Sequence, residues 1–296
     1  MKTLIHCWRE LKPVDRALIS FFLVLNGLIV IFHGNLPRWP WHLTKHFLIC
    51  FLILVLVPLI QSRKTRCAHF TRQWYPVVSI PFIYWNMAYF IHLVFPGEFD
   101  PLIISAETAI FGVLPNIPVQ KLVTPVLTEV MQVFYATYWF MIPSGAALLY
   151  FGNREDTYDS YLYYMTLTFF ASCLVFILFP VAGPRFFIVD QILAEYRGLF
   201  ITGFLRRFVE DAGLRGCAFP SAHVAVAVVV MSFVRIEYPR LAGRVFLPLV
   251  VGLSLATIYG QYHYLTDVAA GLALGVVVSM IGVRNVRKML QRDEKG

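Results

Sequence analysis

Phe47-Leu48-Ile49-Cys50-Phe51-Leu52-Ile53-Leu54-Val55-Leu56-Val57-Pro58-Leu59-Ile60 runs for fourteen residues without a charge and with no polar side chain beyond one thiol. A helix that crosses the hydrocarbon of a bilayer needs roughly 20 apolar residues, and the flanks of this run, read as a span over 46–61, complete the length. Comparable runs lie over 17–33, 74–95, 122–151, 161–182, 221–234, 245–262 and 267–283. Hydrocarbon offers no water to unpaired backbone groups, so each run closes its own hydrogen bonds as a helix. The expected fold is an all-α integral membrane protein with about eight transmembrane helices. Composition agrees: the 296 residues are 58% hydrophobic and 14% charged, against about 25% charged in soluble domains, and mean hydropathy is +0.67.

The net charge of +8 is distributed as topology rather than as a binding face. Basic residues gather at Lys2, Arg9, Lys12 and Arg16; at Arg63, Lys64, Arg66 and Arg72; at Arg235, Arg240 and Arg244; and at Arg284, Arg287, Lys288, Arg292 and Lys295. With eight spans all four groups fall on one side, which the excess of Lys and Arg in inner loops makes cytoplasmic. No basic and aromatic face is left over for nucleic acid. The basic start before the first apolar run resembles a signal peptide, but no small-residue cleavage site follows, so the run is expected to stay as the first span. Residues 1–73 then hold two spans, 74–283 the other six, and 284–296 a basic cytoplasmic tail.

The five cysteines, Cys7, Cys50, Cys67, Cys173 and Cys217, show neither a metal-ligand spacing nor a disulfide framework. Cys217 reads as a small residue filling a tight loop. Two long non-spanning stretches remain, 96–121 and 183–220. In the first, helical apolar spacing from Pro101 stopped by Gly112 and Pro115 predicts a short helix on the outer surface. The second carries an amphipathic stretch over 199–208. The last span contains Gly271-Leu272-Ala273-Leu274-Gly275, a small-residue face suited to close helix packing.

Chemistry concentrates at two span edges, in Gly216-Cys217-Ala218-Phe219-Pro220-Ser221-Ala222-His223 and in Tyr259-Gly260-Gln261-Tyr262-His263-Tyr264-Leu265-Thr266-Asp267. Ionisable residues are expensive in a bilayer and mark function by default. His263 and Asp267 stand four apart, so on a helical turn they share a face; the carboxylate can hold one ring nitrogen while the other attacks or moves a proton. Pro220 is expected at the first helical position, leaving the amides of Ser221, Ala222 and His223 as an anion-receptive helix start. Ser221 adds a hydroxyl, and Arg185 a planar cation that matches phosphate. These groups suit binding and transfer of a phosphoryl group. Glu129, Gln132, Asn86 and His92 also sit in predicted spans and are read as interhelical hydrogen-bonding residues, with the lining of a head-group cavity as the alternative.

Pro220-Ser221-Ala222-His223 and His263-Tyr264-Leu265-Thr266-Asp267 resemble the second and third signature motifs of the type 2 phosphatidic acid phosphatase superfamily. The resemblance implies that His263 is the nucleophile of a phosphohistidine intermediate, that Asp267 orients it and that His223 protonates the leaving group. It implies that Ser221 and an arginine, here Arg185, hold the substrate phosphate, with no metal ion and no other cofactor. Gly183-Pro184-Arg185 stands near the place of the usual first motif, and Thr257 occupies the position of an arginine six residues before the nucleophile. The wording around Cys217, the Gln261-Tyr262-His263-Tyr264 run and Asp100, Glu107 and Phe111-Gly112 are closer to the inositol phosphorylceramide synthase-like branch. The expected function is a lipid-phosphate phosphatase or head-group phosphotransferase at the extracytoplasmic or luminal face of a plasma or inner membrane, or of the Golgi or endoplasmic reticulum in a eukaryotic cell. Its partners are a membrane lipid phosphate and, for a transferase, a lipid alcohol acceptor. The competing classes are a multi-pass transporter and a non-catalytic membrane scaffold; polar residues gathered at one face rather than at the midplane disfavour transport.

Overall fold

The structure, a computed structural model, describes residues 8–205, 207 and 213–293. Lys2, Cys7, Lys295 and the end of the 199–208 stretch lie outside the described residues. Among the described residues eight long helices run through the molecule: α1 Pro13–Ile31, α2 Trp39–Gln61, α3 Arg66–Asn86, α5 Pro125–Phe151, α6 Glu155–Leu178, α7 Ala222–Glu237, α8 Pro239–Tyr259 and α9 Leu265–Asp293, with a shorter α4 at Asp100–Phe111. Five of them, α1, α2, α6, α8 and α9, are long and apolar enough to cross a membrane on their own. The chain is an all-α, multi-pass membrane protein.

Several boundaries follow local chemistry that apolar runs do not report. The third helix begins at Arg66, before the expected start at 74. Thr65 caps it by accepting from the Ala68 amide at 3.2 Å, and its internal Arg72 is neutralised by Asp15 of α1 at 2.5 Å. Thr124 caps α5 in the same way and Pro125 fills its first turn. The short helix predicted from Pro101 is α4; Gly112 ends it in the left-handed conformation, φ 74°. The segment Asn116–Leu122 then turns away by 82°.

The interior is built around α7, whose Val224–Val230 stretch is buried on every side by α5, α6, α8 and α9. Apolar contact between helices gains little when lipid is the competing solvent, so close approach of backbones matters more. The face predicted at Gly271 and Gly275 supplies it: a Cβ added at Gly275 would lie 2.6 Å from the Ala225 carbonyl oxygen of α7. The outward faces are apolar instead of charged, as with Phe47, Leu48, Phe51 and Leu59 on α2.

Candidate functional site

Three loops meet at one end of the bundle, and backbone bonds knit them before any side chain is considered. Ala218 N donates to the Val181 carbonyl at 2.9 Å, Arg185 N to Gln261 O at 2.9 Å, and Ser221 N to Asp267 O at 2.9 Å. Gly183 (φ 88°) turns against the Tyr262 carbonyl, 2.8 Å from where a Cβ would stand. The loops after α6 and α8 and the loop before α7 therefore converge, although about forty residues separate neighbouring ones in sequence.

The convergence brings Arg185, Ser221, His223, His263 and Asp267 together at one end of the bundle. His263 Nε2 lies 3.4 Å from His223 Nδ1. On the other side of the ring, His263 Nδ1 is 3.5 Å from Asp267 Oδ2, close enough for charge but not aligned as a hydrogen bond. Arg185 lies against the Tyr262 ring, its guanidinium carbon 5.2 Å from the centroid, and joins the two histidines on the wall of one cavity. Ser221 is fully buried and its Oγ has no protein partner among the described residues. It does not reach the wall of that cavity, which Ala222 and His223 line.

One expectation is corrected. Pro220 is not the first helical residue: α7 begins at Ala222 with Ser221 as its N-cap. The Ser221 amide is also engaged, by the Asp267 carbonyl, because the start of α7 is tied to the start of α9. The helix start therefore offers the amides of Ala222 and His223 and not that of Ser221.

Sequence reasoning assigned no role to the residues that hold these loops. Asp100, buried at the start of α4, accepts from Ala182 N at 2.7 Å, Gly183 N at 2.9 Å and Tyr264 Oη at 2.9 Å. Seven residues on, Glu107 accepts from Thr266 N at 2.5 Å. Asn116 Nδ2 donates to the His263 carbonyl at 3.2 Å, and Gln261 Nε2 returns a bond to the Asn116 carbonyl at 3.0 Å. Tyr135 of α5 stands with its hydroxyl 3.3 Å from His223 Nε2. The spacing of Asp100 and Glu107, two helical turns on one face, was the available signal; apart from the Tyr264 hydroxyl their partners are backbone amides, which no side-chain pattern announces.

Other expectations resolve plainly. Gln132 bonds the Tyr262 hydroxyl at 3.0 Å. Glu129 accepts from the amides of Leu199 at 2.8 Å and Ile201 at 2.6 Å. Neither residue lines the cavity, and neither bond is interhelical: Gln132 ties α5 to the loop between α8 and α9, and Glu129 fastens the loop around Leu199–Thr202. Asn86 is the last residue of α3, and His92 lies beyond that helix, 4.0 Å from Glu98. Burial pushes the Cys217 thiol well above its ordinary range, in keeping with a packing residue. Burial lowers His263 to about 3, with the positive charge of Arg185 adding to the effect and a hydrogen bond to Ala218 opposing it. A neutral imidazole keeps a lone pair available.

The cavity measures about 480 Å³. Arg185, His223 and His263 line it together with Val78 and Phe82 of α3 and Trp139 of α5, and Val78 and Phe82 are also exposed on the outer surface of the helices. A profile of the PAP2 superfamily matches residues 103–281. The chain belongs to the PAP2 superfamily. No curated protein and no solved structure matches it. The matched PAP2 segment runs from α4 to α9 and so includes Arg185, Ser221, His223, His263 and Asp267, whereas α1–α3 precede it. Membership gives this membrane protein a phosphatase-type activity on a lipid phosphate.

Proposed function

We propose that the protein removes or transfers the phosphorylated head group of a membrane lipid through a covalent phosphohistidine on His263, at the extracytoplasmic face. The observation that carries this reading is the opposition of His263 Nε2 and His223 Nδ1 at 3.4 Å, on the wall of one largely apolar cavity that Arg185 also lines. In-line transfer needs the phosphorus between the two rings, so binding opens that contact. His263 Nε2 attacks phosphorus and the bond to the lipid oxygen breaks, with His223 giving that oxygen its proton. The acceptor oxygen then attacks phosphorus, His223 takes its proton, and the P–N bond breaks so that His263 leaves as the neutral ring. Asp267 supports the positive charge that builds on the His263 ring. Arg185 holds phosphate oxygens from the cavity wall, and the hydroxyl of Ser221, set just behind that wall without a protein partner among the described residues, reaches them once binding has parted the two rings.

Water as acceptor makes the enzyme a phosphatase. A lipid hydroxyl makes it a head-group transferase of the inositol phosphorylceramide synthase-like kind; the apolar wall from Val78 to Trp139 favours this second reading, because it suits an acceptor chain as well as a donor chain. The site offers one carboxylate, Asp267, which already accepts from the Tyr264 amide at 2.8 Å, and that is too few for a magnesium site of the usual kind.

Purified protein incubated with a panel of phospholipids, with and without chelator, tests the reading. Release of phosphate, or a new lipid when an alcohol is supplied, should continue in chelator; loss of turnover that added divalent ion restores would refute the metal-free mechanism. Sidedness rests on the four basic groups. In a cysteine-free background, Glu195→Cys should react with an impermeant thiol reagent in right-side-out vesicles and Arg287→Cys should not. The reverse pattern would place the site on the cytoplasmic leaflet.

A further inference from the structure

A second polar cluster lies among α1, α2 and α3, with no hydrogen bond to the catalytic loops. His46 Nδ1 is 2.7 Å from Asn26 Oδ1, and His46 Nε2 is 3.3 Å from Asn86 Nδ2. Lys45 Nζ donates to Asn86 Oδ1 at 2.6 Å and lies 5.7 Å from the centre of the Tyr89 ring. Among the described residues no carboxylate pairs with Lys45. A hydrogen bond to a neutral amide leaves the ammonium charge uncompensated, and such a charge within a span is costly.

Beside Lys45 a groove of about 340 Å³ lies between the three helices, lined by Leu18, Phe22, Ile49, Ile53, Ile83 and Asn86 among others. Lys45, Ile49 and Ile53 are four residues apart and stand on one face of α2. The exposed Trp41 lies one turn nearer the helix start, where an indole marks the membrane interface. Lys45 has its backbone about 6 Å below that level at 1.5 Å per residue, and its four-carbon stem can lift the ammonium back to the phosphates and glycerol of the interface. Polar head above and apolar channel below match one lipid molecule. Phe82 borders both this groove and the reaction cavity, so the two are one side chain apart.

We propose that the groove holds one anionic phospholipid of the surrounding leaflet, its phosphate on Lys45 and one acyl chain along Ile49 and Ile53. The phosphate supplies the missing counter-charge and accepts the remaining ammonium protons. This site is independent of the reaction chemistry and would stand if the phosphohistidine mechanism failed.

Native mass spectrometry of the detergent-purified full chain, titrated with phosphatidylglycerol or phosphatidylcholine, provides the test. The wild-type protein should retain phosphatidylglycerol in preference. Lys45→Gln should lose about fivefold of that affinity, the effect of one basic residue near a lipid surface, while Lys45→Arg keeps it. Ile49→Trp, which fills the groove and leaves the charge, should also reduce binding. Equal retention of the two lipids by the wild type would overturn the proposal, and that measurement needs no variant to fold. A preference untouched by both Lys45→Gln and Ile49→Trp would place the lipid elsewhere, the reaction cavity included, and overturn it equally.

Discussion

The molecule buries carboxylates in two clusters at opposite ends of the bundle, and they are built differently. At the end away from the catalytic loops, Asp15 of α1 accepts from the Lys12 amide at 2.7 Å, from Arg72 at 2.5 Å and from the Tyr75 hydroxyl, so both of its oxygens are engaged. Lys12 adds a bridge to Asp159 at 2.7 Å. At the catalytic end Asp100 is closed in the same manner, but the group beside it is not. Ser221 Oγ, His263 Nδ1 and Asp267 Oδ1 are all buried without a protein hydrogen-bond partner. A closed cluster ties helices together; an open one keeps donors and acceptors for a substrate at some cost in stability.

Substitutions should separate the two ends. The largest expected effect is at His263: His263→Ala should reduce turnover to background, because without that ring no covalent intermediate can form, and the isosteric His263→Gln should do the same in a protein that melts near wild type. Asp267→Asn should follow with a loss of about 10⁴-fold in kcat, the scale seen when a charge that supports an imidazolium is removed. A kcat near wild type in a well-folded His263→Ala protein would abolish the distinction between the clusters.

At the other end the signs reverse. Arg72→Met leaves Asp15 buried without its counter-charge, a change that costs about 3–5 kcal/mol in buried pairs. Thermal unfolding in detergent should show that loss, and the enzyme that remains folded should turn over at close to the wild-type rate.

Ser221→Ala should fall between these extremes, raising the barrier by about 2–4 kcal/mol through loss of one donor to the phosphate. Unlike Arg72→Met it should leave thermal stability unchanged or slightly improved, since it removes an unsatisfied hydroxyl. The smallest effect is in pH. In the proposed mechanism the neutral His263 ring is the reactive form, and burial lowers its pKa to about 3, so kcat/KM should not fall as pH drops through 6.5, where an ordinary histidine would protonate. Arg185→Gln removes one cause of the lowering and should move the acid limb to higher pH.

The sequence carried the fold further than it carried the site. Runs of apolar residues announce their helices whatever surrounds them, and the small face at Gly271 and Gly275 sits where a close backbone contact is needed. Where a charge intervened, the reading stopped short: α3 extends through Arg72 because Asp15, fifty-seven residues away in sequence, cancels it. The two motifs named His223, His263 and Asp267, and the geometry brings them together. Asp100 and Glu107 entered only through a resemblance, and Asn116 and Tyr135 not at all; the part each plays stayed hidden because its contacts are to backbone groups or to one side chain of a distant segment. Pro220 misled for a related reason: the preference of proline for a first helical turn yielded to the tie between Ser221 N and Asp267 O.

The central claim is a covalent bond between phosphorus and His263 Nε2. Rapid quenching of the enzyme with a radiolabelled lipid phosphate, followed by peptide mapping under alkaline conditions, tests it directly. The account predicts an acid-labile, base-stable label on the peptide that contains His263, formed and discharged as fast as turnover and absent from His263→Ala. Full turnover with no label on that peptide, or an equal label in His263→Ala, would contradict it.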